Sequence, residues 1–273
     1  MARKSYRVRF EGGSGFELAG IVDRPDEASE SPVLVFSHCF TCNKDLKAIV
    51  RIARGLADRG IAVLRFDMTG LGGSSGDFSE TSFTSNIRDL CAAIRFAGRE
   101  LGEVTALMGH SFGGAASLAV AGQLEGDFEY PHKLPNAVVT LAAPSDTQHL
   151  AQLLARMDPN IESQGIGQVT IGGIDWIIRR EMLADFREHE LTAAISRVQA
   201  ATLLFHSPVD ATVGFDHALR IQGLIQNSPH DTPPPSLLAL PGADHLLVTS
   251  AADIAFVADA AAAFVRRYAL PAG

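Results

Sequence analysis

The residues of this chain with the most chemistry to offer are Gly109-His110-Ser111-Phe112-Gly113, a G-x-S-x-G string with its serine between two glycines. A serine so spaced serves as a nucleophile when a strand runs straight into it and a helix leaves it, because the sharp turn exposes its hydroxyl above the sheet edge. VTALMGH runs into Ser111, and FGGAASLAVAGQLE leaves it with small residues where helix and strand must approach closely. A second match, Gly72-Gly73-Ser74-Ser75-Gly76, lacks that setting: the nearest apolar run ends by Asp67, and GDFSETSF follows as loop. The pattern alone is weak evidence in a chain rich in glycine and serine, so context selects Ser111.

A serine hydroxyl is a poor nucleophile near neutrality; an imidazole must take its proton and a carboxylate must orient that imidazole. Where the serine sits on such a turn, its partners follow in the order Ser, Asp or Glu, His. Among nine histidines, His245 follows the last apolar run, SLLALPG, and precedes the last helical stretch. That places it on a loop at the C-terminal edge of a sheet, where ligands bind. Asp210, in the loop SPVDATV after ATLLFHS, is the matching acid. Asp146 follows an earlier run, Asp216 fits a helix start, and Asp244 must point away if His245 points in.

A tetrahedral intermediate needs two N–H donors. One is the backbone N–H of Phe112, next to the nucleophile. The other is expected from Phe40 in His38-Cys39-Phe40-Thr41-Cys42, where many hydrolases carry His-Gly before the donor residue. His38, Cys39, Phe40 and His110, beside these groups, and Trp176 further along are expected to contact substrate. Cys39-Phe-Thr-Cys42 also has the setting of a thiol-redox motif, between a strand and a helix. That rival loses on chain order, since the late Asp and His serve no thiol chemistry, and no second cysteine pair completes a metal site.

The elements that must position these groups are legible as period changes. Tyr6 to Phe10 and Phe16 to Asp23 alternate around a Gly-rich turn and predict a hairpin. After them, PVLVFS, IAVLRFD, VTALMG, AVVTLAA, ATLLFHS and SLLALPG are continuous apolar runs of strand length, most of them alternating with helical patterns. Helices are predicted over Lys44 to Arg59, Thr84 to Leu101, Phe112 to Leu124, Asp216 to Gln226 and Ala252 to Arg267. This is the signature of an α/β fold with a mostly parallel sheet and helices on both faces. One connection, about residues 146–199, is far longer than usual and predicts an inserted cap within a single domain spanning 1–273. In it, GQVTIGGIDWIIRREML predicts a small hairpin turning at Gly172 and Gly173, then a helix carrying Met182, Leu183 and Phe186. Leu153, Met157, Ile174, Trp176 and Ile178 are its candidate apolar walls.

The bulk properties narrow the class. Apolar residues are 47% and charged residues 20% of the 273, the balance of a globular protein. A formal charge of -8 offers no basic field for nucleic acid. MARKSYRVRF lacks an apolar stretch behind its basic residues, and Ala251 to Val265 is too short to span a bilayer, so a cytoplasmic protein with no membrane partner is expected. Three cysteines, an odd number, suggest reduced thiols. The expected state is monomer or homodimer, with no cofactor and no metal.

FSHCFTCNKD, RFDMTGLGGSSGDF, GHSFGG, HSPVDATV and GADHLL together resemble the α/β hydrolases often fused to a C-terminal OsmC-like domain, over nearly the entire chain. The resemblance implies an α/β-hydrolase fold with Ser111, Asp210 and His245 as its triad. The chemistry expected is hydrolysis of a small-molecule carboxylic ester through an acyl-enzyme. Thioester or amide hydrolysis, acyl transfer, or ligand binding without catalysis are the alternatives. A Rossmann dehydrogenase fares worse, because Gly70-Leu-Gly72-Gly73-Ser74-Ser75 lacks the third glycine of the dinucleotide fingerprint.

Overall fold

The computed structural model describes residues 2–26 and 31–268. The alternating N-terminal segments form β1 (Arg3–Glu11) and β2 (Glu17–Pro25), an antiparallel hairpin. Then come β3 (Val33–Ser37), α1 (Lys47–Asp58), β4 (Ala62–Phe66), α2 (Phe83–Glu100), β5 (Val104–His110), α3 (Phe112–Ala121) and β6 (Ala137–Leu141). α1 starts three residues later than its pattern suggests, because the Asn43 side chain accepts the Asp45 N–H and Asp67 accepts the Lys44 N–H, holding that stretch as a turn.

The long connection contains α4 (Gln148–Met157), α5 (Asn160–Gln164), β7 (Ile166–Ile171), β8 (Ile174–Arg179), α6 (Arg180–Glu188) and α7 (Leu191–Ile195). β7 and β8 form the expected hairpin about Gly172 and Gly173, both with positive φ, and α6 buries Met182, Leu183 and Phe186 as expected. α4, α5 and α7 were not foreseen; two have only five residues, too short for a periodic signal. The chain closes with β9 (Ala201–His206), α8 (Phe215–Gln226), β10 (Ser236–Ala239) and α9 (Ala251–Tyr268).

The main sheet has eight strands in the order β1-β2-β4-β3-β5-β6-β9-β10. β2 pairs antiparallel with β4, and every pair beyond β4 is parallel, so the mostly parallel sheet expected from the apolar runs is observed. β3, β4, β6 and β9 are buried along their whole length, which is why their sequences do not alternate. One face packs against α2 and α3, through Phe83, Ile87, Leu90 and Leu118. The other packs against α1 and α9, through Ile49, Ile52, Leu56, Val257 and Val265. Parallel strands align their C-terminal ends, so the segments following β3, β5, β6, β9 and β10 gather along one rim. Among the described residues, no helix is long and apolar enough to cross a membrane.

Candidate active site

Ser111 occupies the turn between β5 and α3 with φ 52° and ψ -119°, a left-handed-side conformation that costs a non-glycine residue on the order of 1–3 kcal/mol. The surroundings enforce it. Its N–H donates to the Leu141 carbonyl at 2.7 Å, tying the turn to β6. The flanking glycines leave no room for a side chain: a Cβ on Gly113 would lie 2.4 Å from the carbonyl oxygens of Ser37 and His38, and one on Gly109 2.2 Å from the Gly113 carbonyl oxygen. The small residues after the serine thus let α3 press onto β3 and β5.

At the same rim, His245 Nε2 lies 3.0 Å from Ser111 Oγ and Nδ1 lies 2.7 Å from Asp210 Oδ2, joining residues 134 and 35 positions apart. The other carboxylate oxygen of Asp210 accepts the N–H groups of Thr212 at 2.8 Å and Val213 at 3.0 Å. Burial alone would raise the Asp210 pKa, but the His245 hydrogen bond and charge and these two N–H donors hold it below the usual carboxylate range. An ionised Asp210 fixes the Nδ1–H tautomer, leaving the Nε2 lone pair aimed at the hydroxyl; such an arrangement can take the serine proton.

Two histidines brace this chain, a role their sequence positions did not disclose. His110 Nε2 lies 2.7 Å from the His245 carbonyl oxygen and donates to it, while burial and the adjacent His245 push the His110 pKa down to about 3. His206 Nε2 donates to the Val213 carbonyl at 2.8 Å, fixing the loop that holds Asp210. Asp244 does point away: its carboxylate accepts the N–H groups of Leu246, Val248 and Thr249. Asp216 lies in the first turn of α8. Ser74 is structural, donating to the Asp67 carbonyl at 2.7 Å and accepting the Ala19 N–H at 2.9 Å.

Phe112 opens α3, where first-turn N–H groups have no partner within the helix. Phe40 stands across from it, their rings 5.5 Å apart in an edge contact. The Phe40 loop is anchored through Asp67, whose carboxylate takes the Lys44 N–H at 2.6 Å, the Lys44 ammonium at 2.8 Å and the Gly73 N–H at 2.7 Å. The Gly-rich DMTGLGG segment is therefore a buttress for this loop.

The cysteines correct the expectation of free thiols. Cys39 and Cys42 are joined in a disulfide with their Cα atoms 5.2 Å apart, a separation set by the turn in which Cys42 N–H donates to the Cys39 carbonyl. Cys91 is free and buried, and burial pushes its thiol up to about 12.

A cleft of about 780 Å³ opens on Ser111 and His245, with Cys39, Phe40 and Phe112 in its wall. Leu150, Leu153 and Met157 of α4 and Ile171 and Ile174 at the hairpin tip form an apolar side. Three expected substrate contacts are corrected. His38 is buried behind the loop, its Nδ1 donating to the Cys39 carbonyl and its Nε2 accepting the Met68 N–H, so it shapes the loop from within. His110 lies beneath the His245 loop, held by the hydrogen bond to its carbonyl. Trp176 packs its ring 4.7 Å from that of Phe78 and does not line the cleft, and Ile178 is fully buried. Sequence reading overlooked Leu150, Ile171 and His149 as lining residues, and only the i, i+3, i+7 spacing of Leu150, Leu153 and Met157 could have signalled α4.

Comparison with known proteins agrees with the fold. The model of the alpha/beta hydrolase family matches residues 34–271. The esterase domain of a Rhodothermus marinus protein has 36% sequence identity, with 99% of this chain and 100% of that chain covered and a TM-score of 0.73. Est1E from Butyrivibrio proteoclasticus, solved with ferulic acid bound, shares 19% identity over 96% of this chain and 98% of its own, with a TM-score of 0.77. Alpha/beta hydrolase domain-containing protein 10 from mouse shares 19% over 96% and 99%, with a TM-score of 0.73. No curated protein matches the chain.

Proposed function

Because the chain belongs to the alpha/beta hydrolase family, we propose that it is a serine hydrolase that cleaves small to medium carboxylic esters through an acyl-enzyme on Ser111. The observation that carries this reading is the unbroken hydrogen-bonded path Asp210–His245–Ser111, at 2.7 and 3.0 Å. The 36% identical esterase domain supports an ester as the scissile group.

In the first half-reaction Ser111 Oγ attacks the ester carbonyl while His245 Nε2 takes its proton; the imidazolium is stabilised by Asp210. The N–H groups of Phe112 and Phe40 receive the oxyanion. Collapse expels the alcohol, which leaves with the proton from His245. In the second half-reaction His245 takes a proton from water, the hydroxide attacks the acyl-enzyme, and the acid departs as the proton returns to Ser111. The strain at Ser111 and the two bracing histidines serve this geometry before substrate arrives.

Residues 146–199 act as a cap over the acyl site, and its apolar side favours an acyl group with a hydrocarbon body. Of the loops that carry the resemblance to hydrolases joined to OsmC-like domains, HCFTC lines this site and DMTGLGGSSGDF supports it from behind through Asp67, which favours placing the chain in that branch. The test is a chromogenic ester series of increasing acyl length with the Ser111→Ala variant as control, alongside labelling by a fluorophosphonate. Turnover and labelling should both vanish in Ser111→Ala, with kcat down by on the order of 10⁶. Full turnover by that variant would end the assignment.

A further inference from the structure

A second pair of imidazoles lies beside the Ser111 cleft and has no part in the reaction above. His149 Nδ1 is 3.2 Å from the Asp146 carbonyl oxygen, which can only accept, so the proton sits on Nδ1 and Nε2 is left as an acceptor. His217 has the opposite tautomer. Its Nδ1 receives the Ser145 N–H at 3.1 Å, so its proton sits on Nε2, a donor. The rings stand 4.9 Å apart. Burial, and then the neighbouring His217, hold the His149 pKa below its ordinary value, which keeps its acceptor free at neutral pH.

Both rings line a polar recess of about 400 Å³ shared with Gln152, Arg220 and Asp146. The recess adjoins the cleft: His149 lines both, and Pro144 of the cleft is followed in sequence by Ser145 of the recess. α4 divides them, with Leu150, Leu153 and Met157 facing the cleft while Gln148 and Gln152 face the recess. An acceptor on one ring and a donor on another whose centroid is 4.9 Å away match an alcohol hydroxyl, which offers one of each. An anion fits worse, since the recess carries Asp146, Glu190 and Asp216, Asp146 already engages Arg220 at 3.2 Å, and an anion would meet the His149 lone pair. Among the described residues no cluster of His, Cys, Asp or Glu is suited to a metal ion.

We propose that this recess is a subsite for a hydroxyl-bearing alcohol moiety, so that the esters cleaved are acylated polyols or sugars. The acyl chain lies against α4 and the hairpin tip, and a free hydroxyl of the alcohol bridges His149 Nε2 and His217 Nε2. This inference rests on the esterase reading for the position of the scissile bond.

Two measurements test it. The first compares kcat/KM for glyceryl monobutyrate and propyl butyrate, which differ only in hydroxyls. The wild-type protein should prefer the glyceryl ester about tenfold, the worth of one net hydrogen bond. His217→Phe should bring that ratio to within about twofold of unity, and His217→Gln, which keeps an N–H donor, should restore part of it. The second follows the nitrogen-labelled histidine signals of Ser111→Ala protein titrated with methyl glucoside, where His149 and His217 should shift ahead of the other imidazoles. Equal ratios in wild type and His217→Phe, with no selective shift, overturn the subsite while leaving a Ser111-dependent esterase intact. Selective shifts without turnover of either ester would instead sink the esterase reading and keep the subsite.

Discussion

Replacing Asp210 by asparagine should disable the site through its hydrogens rather than its shape. In the native loop Oδ1 faces two donors, the N–H groups of Thr212 and Val213. The amide introduced by Asp210→Asn must therefore put its oxygen there, since its NH₂ would confront both donors, and flipping offers no escape. Its NH₂ then faces His245 Nδ1, which is forced to accept, and the imidazole proton moves to Nε2, where it blocks the approach to Ser111 Oγ. Reaching the productive tautomer forfeits a charge-assisted hydrogen bond of about 1.5–3 kcal/mol. It also forfeits attraction between imidazolium and carboxylate of about 4 kcal/mol at an effective dielectric near 20. With partial relaxation the barrier rises by on the order of 5 kcal/mol, about 10⁴ in kcat. Asp210→Ala, which leaves a gap that water can fill, should retain at least as much activity as Asp210→Asn. Steady-state hydrolysis of a chromogenic ester and the rate of fluorophosphonate labelling read both variants. An Asn variant keeping more than about a tenth of native kcat, or clearly outperforming Ala, would refute the tautomer argument.

The same carboxylate predicts a pH effect: held below its ordinary value of about 3.9, Asp210 stabilises the fold fully above that pH and loses its contribution as pH falls through the lowered value. The gap in Tm between wild type and Asp210→Asn should narrow below about pH 4; a gap unchanged in strong acid would contradict this. His110 acts in the same direction at higher pH, since its folded pKa of about 3 lies below the unfolded value near 6.5, so stability declines as pH drops below about 6.5 by up to about 1.4 kcal/mol per unit. His110→Phe, unable to take a proton, should lose denaturant stability less steeply between about pH 6.5 and 4, and matching slopes would count against a buried neutral ring. Gly113→Ala should abolish soluble expression or lower Tm by more than about 10 °C, because its Cβ meets two backbone carbonyls at 2.4 Å; a native Tm would mean that α3 can move away from β3. Ser74→Ala should cost about 1–2 kcal/mol of stability through its two lost hydrogen bonds yet keep ester turnover, and a Ser111-like loss of turnover would show the wrong serine was chosen.

Much of the fold was legible because buried parallel strands announce themselves as unbroken apolar runs, and β3, β4, β6 and β9 are buried on both faces. Ser111, Asp210 and His245 were legible for a related reason: each follows a recognisable strand, and parallel strands deliver their C-terminal loops to one rim. What stayed hidden was set by contacts distant in sequence. His38 and His110 sit beside reactive groups in the chain but turn inward to backbone acceptors, a direction that neighbouring residue types do not reveal. Trp176 belongs to Phe78, nearly a hundred positions away, and α5 and α7 are too short to show a period. Cys39 and Cys42 were expected as reduced thiols because the cysteines are odd in number, a count that says nothing of a bridge closed within one turn.

The dispersal of the three reactive groups along the chain has a consequence during synthesis on the ribosome. The strained serine turn is translated 134 residues before His245, and β9 with the Asp210 loop precedes that histidine as well. A nascent chain therefore carries an ordinary, unreactive alcohol until its final strand and the loop after it have emerged and docked beside β9. On the proposed hydrolase reading, prematurely terminated products lacking that last stretch would have no base and would pose no hydrolytic hazard to the cell that makes them.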